Sequence, residues 1–245
     1  MKPDGFVAFY PGPHPSVLSN RKLPMNTLAQ PHLAQLLDRL FEQADAASPA
    51  DSPALADLTP ETRQQLMRSK TEYLDYYGRM KDLALPVSRD TGRLLYMLAR
   101  GSRARSIVEF GTSFGISTLH MAAALRDNGG GQLITTEFEP GKVLRARQHL
   151  SAAGLADLVE IREGDALQTL ASHLPEHIDL LLLDGAKALY PEILALLEDR
   201  LRPGAFIVAD NADYSPDYLA YVRAPANGYL TLPFDGDVEL SQRIG

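Results

Sequence analysis

Ser106-Ile107-Val108-Glu109-Phe110-Gly111-Thr112-Ser113-Phe114-Gly115-Ile116-Ser117-Thr118 is the stretch on which the fold turns. A short apolar run gives way to a glycine-bounded turn and then to a helical pattern, the opening of a strand–turn–helix unit. Similar runs recur at Leu133–Glu137, Leu158–Arg162, Ile178–Leu183 and Ala205–Ala209, with helix-long segments between them. That rhythm predicts an α/β fold, a mostly parallel sheet with helices on both faces. Ile178–Leu183 shows no alternation beyond Asp179, so it belongs in the middle of the sheet, apolar on both faces. The end of the chain breaks the rhythm. Tyr229–Phe234 and Val238–Ile244 flank Asp235-Gly236-Asp237, a turn that joins antiparallel strands directly.

Upstream, Pro11-Gly12-Pro13-His14-Pro15 cannot be helical, and the first 27 residues read as an extended arm. Leu33, Leu36, Leu37, Leu40 and Phe41 then fall on one helical face between His32 and Ala44. Ala46–Thr59 has linker composition, and Thr59-Pro60-Glu61 looks like a helix start. From there one helix is expected to run toward Leu83, with Tyr73, Tyr76, Tyr77 and Met80 on one side and Pro86 closing it. The division expected is an N-terminal arm and helix, residues 1–58, and a main domain, residues 59–245. The apolar stripe of the first helix must be covered, which makes it a candidate homodimer contact or a lid.

Composition narrows the function. The 245 residues are 45% apolar and 22% charged, with no long uncharged apolar run and no signal-like start, so a soluble cytoplasmic protein without a membrane partner is expected. With no cysteine, thiolate nucleophiles, iron–sulfur clusters and Cys-based zinc sites are excluded. Twenty-four basic residues against 31 acidic ones, a net charge of −7, oppose nucleic-acid binding.

Ligands of an open α/β sheet bind beyond the carboxyl ends of its strands, so the residues after each run carry the chemistry. Here they are acidic. Glu109 precedes a G-x-x-x-G turn rather than the G-x-G-x-x-G of a pyrophosphate site, and an acid there favours a cationic ligand. Glu137 is placed to accept the hydroxyls of a ribose, and Asp165 either faces an adenine amino group or caps the next helix. Asp184 and the pair Asp210-Asn211 offer oxygen donors suited to a hard cation such as Mg2+, with turn chemistry as the competing account. Lys187, three residues after Asp184, could serve as a general base if burial and a cation lowered its pKa. The histidines, His120 and His149 included, show no ligand spacing and are expected at solvated surfaces.

Taken together, Glu109–Gly115, Ile134-Thr135-Thr136-Glu137, Asp184-Gly185-Ala186-Lys187 and Ala209-Asp210-Asn211 resemble the small-molecule O-methyltransferases of the catechol and caffeoyl-CoA type over roughly Leu83–Gly245. The resemblance implies a Rossmann-like class I methyltransferase fold with seven strands, the last antiparallel, plus the helical N-terminal extension. It implies S-adenosylmethionine as cofactor, a divalent metal, and a small-molecule hydroxyl acceptor. By position, Glu109 and the loop Gly111, Thr112, Ser113 and Gly115 would line the methionine and ribose portion. Val87, Ser88 and Ser117 would lie near the cofactor carboxylate, Glu137 with Phe138 at the ribose, and Asp165 with Ala166 at the adenine. Asp184 would border both cofactor and metal, Asp210 and Asn211 would complete the metal ligands, and Lys187 would be the catalytic base. Tyr190, Tyr214 and Tyr218 are candidates for the acceptor wall or for ordinary packing. Glu239 reads as a structural acid in the terminal strand. The alternatives are a metal-independent N- or O-methyltransferase of a natural product, a nicotinamide-dependent oxidoreductase, opposed by the glycine spacing, and a cofactor-binding protein without turnover.

Overall fold

The computed structural model describes residues 26–47, 49 and 52–245; the expected extended arm lies outside them as far as residue 25. Helix α1 (Pro31–Asp45) is followed by α2 (Pro60–Met67), α3 (Tyr73–Arg79) and α4 (Arg89–Gly101). Then come β1 (Ser106–Phe110), α5 (Ile116–Asp127), β2 (Gln132–Glu137), α6 (Pro140–Ala152), β3 (Val159–Glu163), α7 (Ala166–Thr169), β4 (Ile178–Leu183) and α8 (Tyr190–Leu197). β5 (Leu201–Ala209), α9 (Pro216–Arg223), β6 (Tyr229–Phe234) and β7 (Val238–Arg243) complete the chain. The sheet has seven strands in the order β3-β2-β1-β4-β5-β7-β6. The first five are parallel, and β7 runs antiparallel to both β5 and β6. β4 is central and fully apolar from Leu180 to Leu183, as the absence of alternation predicts.

Side-chain alternation divides the core between the two faces of the sheet. Ile107, Leu133, Leu180, Leu182 and Val208 pack with residues of α1, α4 and α5; Val108, Phe110, Leu181, Leu183 and Ile207 pack with α8 and α9. Helix α1 therefore belongs to the main core. Leu33, Leu36, Leu37, Leu40 and Phe41 are all buried in the same cluster as Leu95 and Leu119. The stripe is covered by its own chain, which removes the reason for expecting it to make a homodimer contact or a lid. None of the described helices is long and apolar enough to cross a membrane.

Two local expectations need correction. The helix expected from Thr59 toward Leu83 is two helices, because the Ser69 hydroxyl accepts from the amides of Thr71 and Glu72 and offers the backbone a turn instead. The linker is anchored: Leu55 is 1% exposed and packs with Tyr76 and Met80.

Candidate active site

Hydrogen bonding continues one or two residues past the strands and fixes the rim. Thr112 N donates to Thr136 O, Asp184 N to Phe110 O, Asp210 N to Leu183 O and Gly164 N to Glu137 O, at 2.8–3.0 Å. Each post-strand turn is thereby locked to its neighbour, bringing acids that are far apart in sequence onto one edge. Close approach decides two glycines. A Cβ on Gly111, whose φ is +102°, would stand 2.6 Å from the Asp184 carbonyl oxygen, and one on Gly185 would meet the Phe110 ring at 2.4 Å.

On one side of this rim lies a cleft of about 600 Å³. Its lining includes Gly111, Ser113, Glu137, Phe138, Asp165, Ala166 and Asp184, all expected there, with Tyr73, Tyr77 and Lys142. Glu137 is pinned from both sides: Oε2 accepts from Ser113 N at 2.9 Å and Oε1 from Glu139 N at 3.0 Å. Burial raises its pKa, opposed first by the positive charge of Lys142 and then by these amides. Asp165 caps α7, accepting from Leu167 N at 3.0 Å, while also lining the cleft. The capping reading is the one observed.

Glu109, Thr112, Gly115 and Ser117 stand outside the lining of that cleft. Glu109 points to the α5 face, fully buried, where the hydroxyls of Ser117 and Thr118 donate to its two oxygens. Burial outweighs those bonds and pushes its pKa up to about 7. Thr112 bonds Thr135 across β1 and β2 at 2.6 Å, and Gly115 is the left-handed residue before α5. Val87 is buried, and Ser88 caps α4 through a bond from Thr91 N.

Val87 and Ser88 instead border a second cleft, of about 1000 Å³, with Asp210 and Asn211. Asp45, Asp90, Asp235 and Asp237 share its wall with Phe41 and Arg89, making the surface strongly acidic. The carboxyls of Asp184 and Asp210 lie close enough that each shifts the other's pKa. Burial first, and then the charge of Asp184, push Asp210 up to about 8. The Asn211 backbone is left-handed, and its Nδ2 donates to Asp237 Oδ2 at 2.7 Å, leaving the amide oxygen as the donor it can offer a cation. Among the described residues no group of three or more His, Cys, Asp or Glu is arranged for a metal, so the available set is two carboxylates and one carboxamide.

Lys187 lines neither cleft and sits behind Asp184. It is 4% exposed, and its Nζ donates to Asp184 Oδ1 at 2.8 Å. Burial works to lower its pKa, but Asp184, followed by Tyr190, Tyr77 and Asp210, holds it well above the ordinary value. This reverses the expectation that burial would favour the neutral amine.

Tyr190 and Tyr218 follow the packing reading: both are fully buried, edge to face at 5.8 Å, and Tyr190 Oη donates to the Asp210 carbonyl. Tyr214 borders neither cleft. Glu239 is buried and takes two bonds from Arg223 and one from Thr231, the structural role expected of it. Two residues escaped the sequence reading. His120, expected at the surface, is 4% exposed, bonded to Ile116 O and held down to about pKa 4 by burial. Its signal was the run Ile116–Leu125, which has no continuous polar face. Lys142 is equally buried, and its spacing from Ala146 and Leu150 put it on the inner face of α6.

The strand order and this acidic rim define a Rossmann-like methyltransferase, and the comparisons agree. Residues 108–212 match the family described as a methyltransferase domain. Catechol O-methyltransferase B of Danio rerio is 32% identical over 210 residues, 77% of this chain and 78% of that protein. The chain belongs to the catechol O-methyltransferase family. The catechol O-methyltransferase of Niastella koreensis is 38% identical over 131 residues, and the match spans 58% of its length. Among solved structures, the O-methyltransferase TomG from Streptomyces achromogenes, involved in tomaymycin synthesis and crystallised with S-adenosylmethionine, superposes with a TM-score of 0.59 at 25% identity. The superposition covers 83% of this chain and 99% of TomG.

Proposed function

We propose that this chain transfers a methyl group from S-adenosylmethionine to one hydroxyl of a small catechol-like or other vicinal diol, with Mg2+ bound beside the acceptor. The observation that carries the reading is that Asp184, which lines the Glu137 cleft, holds Lys187 and lies beside Asp210, which lines the acidic cleft. Family membership supports the methyl donor and the hydroxyl acceptor.

In the first cleft, Glu137 is oriented by two backbone amides so that its remaining lone pairs can accept from ribose hydroxyls. Asp165 and Ala166 border the adenine end, and the Gly111 turn allows the donor to lie against the backbone. Glu109, Ser117, Val87 and Ser88 are assigned to the methionine end by the resemblance alone: Glu109 and Ser117 are buried against α5, and Val87 and Ser88 border the second cleft. S-adenosylmethionine supplies an electrophilic methyl on a sulfonium, so the residues around it chiefly align and desolvate.

The donor set fits Mg2+: Asp184 and Asp210 crowd two carboxylates together, and Asn211 has its amide nitrogen committed and its oxygen to offer. When bound there, the ion supplies Lewis acidity that lowers the pKa of an acceptor hydroxyl. Lys187, held as an ammonium by Asp184, stabilises the acceptor oxyanion from Nζ, and it can take the hydroxyl proton only where that hold is released. The acidic wall of the second cleft selects neutral or cationic acceptors over anionic ones.

A panel of catechols and isolated phenols, assayed by mass spectrometry with S-adenosylmethionine in Mg2+ and in chelator, tests this. Monomethylated catechol formed only with the metal is expected. Equal turnover in chelator would overturn the metal role, and Asp184→Ala retaining transfer while losing Mg2+ binding would do the same.

A further inference from the structure

Lys142 presents a problem the proposed reaction does not use. Its side chain leaves α6 on the buried face, the residue is 4% exposed, and it borders the Glu137 cleft. Among the described residues its ammonium makes no hydrogen bond or ion pair within reach, while nearly every other buried charge at the rim is bonded: Lys187 to Asp184, Glu109 to two hydroxyls, Glu137 to two amides. Burying a cation without a partner is costly unless its field does something for a neighbour. Its surroundings are Glu137 first, then Asp184 and Glu139 as negative charges, Arg145 as a positive one, and the Phe114 ring with its centroid 6.0 Å from Nζ.

Glu137 is the group that gains. Both of its oxygens already accept one backbone amide, so each has a lone pair left for a ribose hydroxyl only while the carboxylate is ionised. A proton on either oxygen would turn an acceptor into a donor and lose one half of the diol grip. At 8% exposure, Glu137 sits where the neutral acid is favoured, and Lys142 is the cation that opposes this from the next helix. We infer that Lys142 is a positioning residue for the methyl donor: its unpaired charge keeps Glu137 ionised so that Glu137 can accept from both ribose hydroxyls. This rests on the proposed assignment of the cleft to S-adenosylmethionine.

The test is calorimetric titration of S-adenosylhomocysteine, and of its 2′,3′-dideoxy analogue, into the full chain between pH 6 and 8.5. The proteins compared are wild type, Lys142→Met and Lys142→Arg. At pH 6.5, Lys142→Met should bind S-adenosylhomocysteine about tenfold more weakly than wild type, the loss expected if roughly one Glu137 in ten stays ionised without the lysine. The deficit should shrink to within about threefold at pH 8.5, as Glu137 ionises unaided. Lys142→Arg should keep the wild-type pH profile, and the dideoxy analogue should bind Lys142→Met and wild type alike. Equal loss for both ligands at every pH would make Lys142 a packing residue and overturn the inference. So would a Lys142→Arg profile that loses affinity toward low pH where wild type does not, which can be read even if the methionine variant does not fold. Failure of wild type to bind S-adenosylhomocysteine would instead refute the assignment of the cleft.

Discussion

The cleft lined by Asp184 and the cleft lined by Asp210 hold charge in opposite ways. In the cleft at the ends of β1, β2 and β3, the carboxylates of Glu137 and Asp165 are bonded to backbone amides, and a buried lysine stands nearby. In the other, Asp210 is pressed against Asp184, and Asp45, Asp90, Asp235 and Asp237 face Arg89 as the cation on the wall. The first is electrostatically complete without a metal and suits a nucleoside read by hydrogen bonds. The second has an excess of negative charge that a hard cation relieves. One sheet edge can do both because a parallel strand ends in a turn whose amides satisfy its own acid, as after β2, or in one that leaves the acid to its neighbours, as after β4 and β5.

The largest effect expected separates the clefts. Asp210→Ala should lower kcat/KM for methyl transfer by about 1000-fold, the several kcal/mol that a Lewis acid contributes. S-adenosylhomocysteine affinity measured without metal should stay within about threefold, since truncating an oxygen donor of the other cleft removes no hydrogen bond to the nucleoside. Matching losses in both assays would show that the two clefts are a single site. Next in size is Gly111→Ala, which forces a Cβ to within 2.6 Å of the Asp184 carbonyl at a φ of +102°. It should cost about 3 kcal/mol in denaturant unfolding and disturb the first cleft, which this turn lines, together with the Asp184 backbone behind it. Smaller again, Glu137→Gln should weaken S-adenosylhomocysteine about thirtyfold while leaving Mg2+ affinity unchanged, as expected for removing a charged acceptor from two hydroxyl bonds. Calorimetry with each ligand checks it.

What the sequence disclosed follows the same division. Strand ends were legible because apolar runs stop where turns begin, and the terminal hairpin matched to within a residue, Val238–Arg243 against an expected end at Ile244. The central place of β4 followed from a run with no polar face. The rim acids were legible because parallel topology dictates which ends converge. Burial of single polar residues was not, since it depends on what packs opposite. Lys142 and His120 carry charge-bearing side chains on faces that their helices bury, and only the neighbouring apolar residues betray this. Space for the His120 ring comes from Gly92, where a Cβ would stand 2.8 Å from it, a contact between α4 and α5 that no local pattern encodes. The break after α2 was missed because a serine hydroxyl bonding two amides is invisible to hydrophobic periodicity.

Behind each cleft lies a buried titratable group, and the two are shifted so that their effects on stability oppose. Glu109 precedes the Phe110-Gly111 wall of the first cleft and is raised to about 7; His120 stands behind Phe41 of the second, with ring centroids 6.2 Å apart, and is lowered to about 4. Below its unfolded value of 4.5 Glu109 is protonated in both states, and as pH rises toward 7 the unfolded chain releases a proton that the folded chain keeps. That stability is lost with rising pH, by roughly 3 kcal/mol in all. For His120 the sign is reversed: above 6.5 both states are neutral, and as pH falls toward 4 only the unfolded chain takes the proton, so stability falls by a similar amount. Between pH 4.5 and 6.5 the two slopes should cancel to within about 1 kcal/mol, giving wild type a nearly flat urea-unfolding profile from this pair. Glu109→Gln should expose the His120 slope, with stability rising across that window, and His120→Leu should expose the opposite one. If both variants kept the flat wild-type profile, neither group would be shifted as its burial requires, and the contrast between the two walls would reduce to the charges that line the clefts themselves.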